Sequence, residues 1–140
     1  MLVDDFEPWR RFMFATIQRH QDLQVIGEAS DGLVAIEKAK ELQPDLILMD
    51  IGLPGVGGIQ ATRQIRGCSP NSKILIVTAQ RSSDIAMEAF RSGAHAYLVK
   101  SHANRELMAA VKAVLQGERF ASAILGLEAN GFARNAASHL

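Results

Sequence analysis

The sequence predicts an α/β fold, a doubly wound parallel sheet of five strands covered by five helices. Three observations predict it. Short apolar runs, Leu23 to Ala29, Leu46 to Met49, Ile74 to Val77 and Ala96 to Val99, have the length and the β-branched or aromatic content of buried strands. The segments between them carry a helical period. Turn and cap residues stand at the borders of the two kinds of segment, and right-handed crossovers then lay every strand parallel, with any site at the carboxyl ends of the strands.

Taken in order, the first strand is Met1 to Val3, short for a strand that neighbours should flank on both sides. Trp9, Phe12, Met13, Thr16 and Ile17 keep one face of the first helix. Asp31-Gly32, Pro54-Gly55 and Ser82-Ser83 supply the cap or turn chemistry that opens the second, third and fourth helices. Gly67, Gly93 and Gly117 stand where the third, fourth and fifth helices stop. Leu107, Ala110, Val111, Val114 and Leu115 mark the buried face of the fifth. One domain is expected over residues 1–117. Residues 118–140 carry Phe120, Ile124, Leu125, Leu127 and Phe132 without a sustained period and read as a tail or linker with a short helix at best.

Composition narrows the function. Fifteen Lys plus Arg balance fifteen Asp plus Glu, so no net positive field favours nucleic acid or an anionic membrane. Arg119 and Arg134 make no basic recognition helix, and direct DNA binding by this chain is not expected. The single Cys68 forms no intramolecular disulfide, no run is long enough to span a bilayer, and the acidic start is unlike a signal peptide. A cytoplasmic protein is the expectation. His20, His95, His102 and His139 are scattered and read as solvated, with His102 nearest to Lys100. Gly57-Gly58 lacks the spacing of a dinucleotide loop, and there is no Gly-Lys-Ser/Thr phosphate loop.

The strand ends carry the chemistry. Asp4 and Asp5 end the first strand and Asp50 ends the third, its sheet neighbour, so three carboxylates converge where a divalent cation such as Mg²⁺ relieves their repulsion. Thr78 and Lys100 end the fourth and fifth strands on the same edge. Such an edge suits phosphoryl transfer, with Asp50 as nucleophile and with the cation, Lys100 and the Thr78 hydroxyl on the phosphoryl oxygens. Without metal the three acids are expected to raise one another's pKa, so that Asp50→Asn should stabilise the metal-free fold.

Leu2-Val3-Asp4-Asp5, Leu48-Met49-Asp50-Ile51-Gly52-Leu53-Pro54-Gly55, Val77-Thr78-Ala79 and Gly93-Ala94-His95-Ala96-Tyr97-Leu98-Val99-Lys100-Ser101 resemble the receiver domain of bacterial two-component response regulators over about residues 2–117. The resemblance implies a flavodoxin-like, CheY-like sheet of order 2-1-3-4-5. It implies that a sensor histidine kinase or phosphotransfer protein phosphorylates Asp50. Asp5, Asp50 and the Gly52 carbonyl would ligate Mg²⁺ directly and Asp4 through water, while Lys100 would pair with the phosphoryl group. Thr78 and Tyr97 would form a switch that changes the surface of the fourth helix, fifth strand and fifth helix for an unknown downstream target, with homodimer formation as one outcome. The run Ile51 to Gly55 and the Lys100-Ser101 pair lean towards the branch whose receivers precede a helix-turn-helix module. Such a domain assists its own phosphorylation and dephosphorylation and turns over no separate substrate.

Other classes fit less well. An aspartyl-phosphate phosphatase would want a second acid two residues after the nucleophile, where Gly52 stands. A flavin-phosphate carrier would not place Asp4, Asp5 and Glu7 in its phosphate loop. A receiver-like interaction module that is never phosphorylated is the remaining alternative.

Overall fold

Strand and helix alternate from Leu2 onward in the computed structural model, which describes residues 1–127. Phe132, Arg134 and His139 lie outside the described residues. The elements are β1 (Leu2–Val3), α1 (Glu7–Gln18), β2 (Glu28–Ala29), α2 (Gly32–Leu42), β3 (Leu46–Met49), α3 (Gly58–Cys68), β4 (Lys73–Thr78), α4 (Ser83–Arg91), β5 (Ala96–Val99) and α5 (Lys100–Leu115). A further short strand, β6 (Phe120–Ala121), and a 3₁₀ turn (Ala123–Leu125) follow.

Cap chemistry sets several helix borders. The side chains of Asp31 and Ser82 accept from the Val34 and Ile85 N–H groups at 2.8 and 3.2 Å, opening α2 and α4 as expected. The third helix starts three residues beyond Pro54-Gly55, with Gly57 at its N-cap. Gly93 and Gly117 adopt φ of +110° and +82° just past α4 and α5.

All strands are parallel, in the order β2-β1-β3-β4-β5-β6. The five expected strands take their expected order, with two departures in extent. Residues 23–27 do not join β2, because β1 offers only Leu2 and Val3 as partners, paired with Glu28 and Ala29. Among the described residues the backbone of Gln24, Val25 and Ile26 makes no hydrogen bond, and a cavity of about 430 Å³ opens beside it, lined by Met1, Val25, Leu46, Lys73 and Val111. The second departure is β6, where sequence suggested a tail. Beyond Gly117 the chain runs along β5, and the Phe120 and Ser122 N–H groups donate to the His95 and Tyr97 carbonyls at 3.2 and 2.9 Å. Two residues are too few to carry a period, so the edge of β5, not the local pattern, makes this strand.

The sheet separates two cores. Val3, Ile47, Met49, Ile74, Ile76, Tyr97 and Val99 face α2, α3 and α4, which approach on Ala35, Ala39, Ala61, Ala86 and Ala89. Leu2, Leu48, Leu75, Val77 and Leu98 face α1 and α5. The five alanines are fully buried, so these helices lie close to the sheet and leave no room for a larger side chain. In α1, Met13, Thr16 and Ile17 are buried as expected, while Phe12 is 43% exposed and its ring lies 5.3 Å from that of Trp9. Among the described residues no helix is long and apolar enough to cross a membrane.

Candidate functional site

Adjacency of β1 and β3 brings the carboxylates together. The Asp50 N–H donates to the Val3 carbonyl at 3.0 Å, so the residues that follow the two strands emerge side by side. Asp4 is held by its own turn: its Oδ1 accepts from the Phe6 N–H at 2.8 Å and its carbonyl accepts from Arg10 Nη1 at 2.7 Å. Asp50 Oδ1 accepts from the Ile51 N–H at 2.7 Å and lies 3.4 Å from the Gly52 N–H. The loop after Asp50 folds back tightly, with the Gly58 N–H donating to the Ile51 carbonyl at 2.8 Å. A Cβ at Gly58 would sit 2.2 Å from the Asp50 carbonyl oxygen, so this approach requires glycine.

Lys100, the first residue of α5, reaches across the sheet edge. Its Nζ lies 2.7 Å from Asp4 Oδ2 and 3.0 Å from Asp50 Oδ2, and 5.1 Å from the centroid of the Trp9 ring. Thr78, buried at the end of β4, sets its hydroxyl against the Asp50 carboxylate. The structure thus gathers Asp4, Asp5, Asp50, Thr78 and Lys100, with Gly52 on the adjoining loop.

The charges do not behave as three mutually repelling acids. Burial raises the Asp50 pKa, but the Thr78 hydroxyl and the Lys100 ammonium outweigh it, and the net shift is downward. Burial dominates at Asp4 and raises its pKa despite Lys100 and the Phe6 N–H. Burial would lower the Lys100 pKa, but the adjoining Asp4 and Asp50 carboxylates raise it. The sequence-based expectation of a raised Asp50 pKa is therefore corrected: Lys100 sits between two of the acids and reverses the sign at one of them.

The donor set suits a divalent cation. Asp4, Asp5 and Asp50 each offer a carboxylate oxygen, and these oxygens lie within 4.8 Å of one another. Asp4 Oδ2 is buried and, although 2.7 Å from the Lys100 ammonium, lies in hydrogen-bond geometry with no group among the described residues. Three carboxylates against one ammonium leave two negative charges for a hard dication to neutralise. The Gly52 carbonyl accepts no hydrogen bond among the described residues and remains available as a further oxygen.

Tyr97 stands behind this cluster. It is fully buried, and its hydroxyl donates to the Gln80 carbonyl at 2.9 Å. Burial, followed by the negative charge of Asp50, pushes its pKa up to about 12. Sequence reasoning did not single out Gln80, Arg10 or the role of Trp9 beside Lys100; only Trp9 carried a signal, as the first residue of the buried face of α1. His95 also departs from expectation. Its Nδ1 accepts from the Ile74 N–H at 3.0 Å, and burial, with Arg66, Lys73 and Arg119 nearby, lowers its pKa to about 4. His102 pairs with Ser101 at 2.8 Å, and among the described residues no hydrogen bond or ion pair joins it to the carboxylates.

Chemically, the edge presents an ionised carboxylate at neutral pH, an ammonium, a hydroxyl and an acidic cation cradle. Residues 1–112 match the family model described as the response regulator receiver domain. Response regulator GacA of Pseudomonas viridiflava is 33% identical over 122 residues, covering 87% of this chain and 57% of that protein. The transcriptional regulatory protein LiaR of Bacillus subtilis is 38% identical over 118 residues, covering 84% and 56%. The chain thus spans little more than half the length of these relatives. Among solved structures, a LuxR-family two-component response regulator from Aurantimonas sp. SI85-9A1 superposes with a TM-score of 0.82 at 41% identity, covering 86% of each chain. The signal receiver domain of the response regulator NarL from Mycobacterium tuberculosis gives 0.78 at 28% identity, covering 84% of this chain and 94% of that one.

Proposed function

Since this chain belongs to the response regulator receiver domain family, we propose that it accepts a phosphoryl group on Asp50 and converts the acyl phosphate into a change at its surface. The observation that carries the reading is the convergence, on one sheet edge, of the Asp4, Asp5 and Asp50 carboxylates with the Lys100 ammonium, 3.0 Å from Asp50. The donor is a phosphohistidine of a sensor kinase or phosphotransfer protein. The nitrogen–phosphorus bond breaks, a bond from an Asp50 oxygen to phosphorus forms, and the imidazole, protonated on its other ring nitrogen, departs neutral with the bonding pair. Lys100 and the Thr78 hydroxyl then face the phosphoryl oxygens. Asp5, Asp50 and the Gly52 carbonyl would hold Mg²⁺, with Asp4 through water, and the cation would supply positive charge against that developing on the transferred group.

Turnover of a separate substrate forms no part of this reading. The relatives' names and greater length support a role in transcriptional control, exerted by whatever receives the signal and not by DNA contact from residues 1–127. Mass spectrometry after treatment with a small phosphodonor and Mg²⁺ tests the assignment. Wild type gains one phosphoryl group and Asp50→Asn gains none; equal incorporation in both moves the phosphoacceptor elsewhere. Absence of incorporation in wild type favours the phosphorylation-independent interaction module.

A further inference from the structure

The segment that follows α5 is bound to the strand carrying Tyr97. Ala121 is the register partner of Tyr97, and the Ser122 N–H donates to the Tyr97 carbonyl at 2.9 Å. Ser122 is 1% exposed, and its hydroxyl accepts from the Val99 N–H at 2.9 Å while donating to Glu106 Oε1 at 2.6 Å. The other carboxylate oxygen of Glu106 accepts from the Ala123 N–H at 3.1 Å. One α5 side chain thereby grips two consecutive residues of the segment. Further along, Leu125 and Leu127 pack against the core cluster that contains Tyr97, Phe90, Ala86 and Ala89. The face between α4, β5 and α5 is therefore partly covered by the chain itself.

We propose that residues 119–127 are a strap clamped by Glu106, which holds the Tyr97 ring inward and is coupled through it to the state of Asp50. Tyr97 has no exposed surface, and the strap packs on the cluster that encloses it, so an outward ring requires the strap to yield. Docked strap and inward ring stabilise one another. If a phosphoryl group draws Thr78 towards Asp50 and favours the inward ring, it tightens the strap, and by linkage a docked strap favours the phosphorylated state. This regulatory half rests on Asp50 as phosphoacceptor; the structural half, the coupling of strap to ring, does not.

The experiment uses the full chain and two readouts. Tyr97 is the single tyrosine, so a ring-labelled sample reports its rotamer by NMR, and amide exchange of Val99, Ser122 and Ala123 reports the strap. Glu106→Ala and, independently, Ser122→Ala should speed exchange at these amides by roughly tenfold and shift or broaden the Tyr97 ring signal. Protection at Ile47 and Ile74 should stay as in wild type, showing that the sheet is intact. An unchanged Tyr97 signal in both folded variants overturns the strap. Beryllofluoride with Mg²⁺ should slow exchange at Ser122 and Ala123 in wild type, and weaken in apparent affinity in both variants. If Ile51 and Gly52 respond to the mimic while the strap does not, the transmission is wrong. If Ile51 and Gly52 do not respond either, the phosphoacceptor reading fails, and the variant arm still decides the strap.

Discussion

Tyr97 and Gln80 are joined across the sheet edge: the tyrosine hydroxyl donates to the Gln80 carbonyl at 2.9 Å. The Gln80 N–H in turn lies 3.5 Å from Thr78 Oγ1. One residue of the loop after β4 thus connects the hydroxyl beside Asp50 to the buried ring on β5. Thr78 and Tyr97 do not need to touch, because a shift of Thr78 moves the backbone on which Tyr97 depends.

Tyr97→Phe tests that connection. The ring still fills its space, but the Gln80 carbonyl loses its donor, so stability should fall by about 1 to 2 kcal/mol in denaturant titration. Thr78→Ala should leave phosphate incorporation at Asp50 largely intact. In that variant the Gln80 amide should no longer respond to a beryllofluoride mimic in NMR; a wild-type response would place the switch elsewhere.

Lys100→Ala leaves Asp4 buried and unpaired beside Asp50. A loss of about 3 kcal/mol at neutral pH is expected, because breaking an ion pair of mostly buried groups strands the remaining charge. The deficit should shrink as pH falls, since the raised Asp4 pKa means that protons bind there first and remove the charge. Asp50 behaves in the opposite sense. Its folded pKa lies below the unfolded value, so its contribution is present above the unfolded pKa and disappears as pH falls through the folded one. Asp50→Asn should therefore destabilise the metal-free protein, in contrast to the expectation from the bare acidic pattern.

Mg²⁺ should raise the melting temperature. At a free concentration ten times its dissociation constant the gain is about 1.4 kcal/mol. Asp5 is exposed and the other two acids are not, so Asp5→Asn should change metal-free stability by less than about 0.5 kcal/mol while removing most of the Mg²⁺ gain. Melting curves with and without Mg²⁺ separate the two effects.

His95 gives the fold a second acid-sensitive point, remote from the carboxylates. Its folded pKa of about 4 lies below the ordinary value of 6.5, so the unfolded chain takes up the proton first. Stability is full above the unfolded value and falls as pH drops from there towards the folded one. His95→Gln, which keeps an acceptor for the Ile74 N–H, should flatten this part of the profile in urea titrations across that range.

The order of elements, the two-faced sheet and the convergence of Asp4, Asp5, Asp50, Thr78 and Lys100 were legible in the sequence. Each depends on local information: apolar runs of strand length, helical periods, and a polar residue at the end of a strand whose direction the right-handed crossover dictates. Tertiary structure alone decided what those residues do to one another. Whether Asp50 is lifted or lowered in pKa depends on where an ammonium fifty residues away comes to rest, 3.0 Å from it. The same holds for edges. The apolar pattern of Leu23 to Ala29 specified a strand of which only Glu28 and Ala29 pair, whereas Phe120 and Ala121, with no pattern, form one because β5 presents unpaired backbone. The Glu106 clamp on Ser122 and the Gln80 link to Tyr97 belong to the same class: a hydrogen bond between groups distant in sequence leaves no periodicity, and only the folded chain brings donor to acceptor.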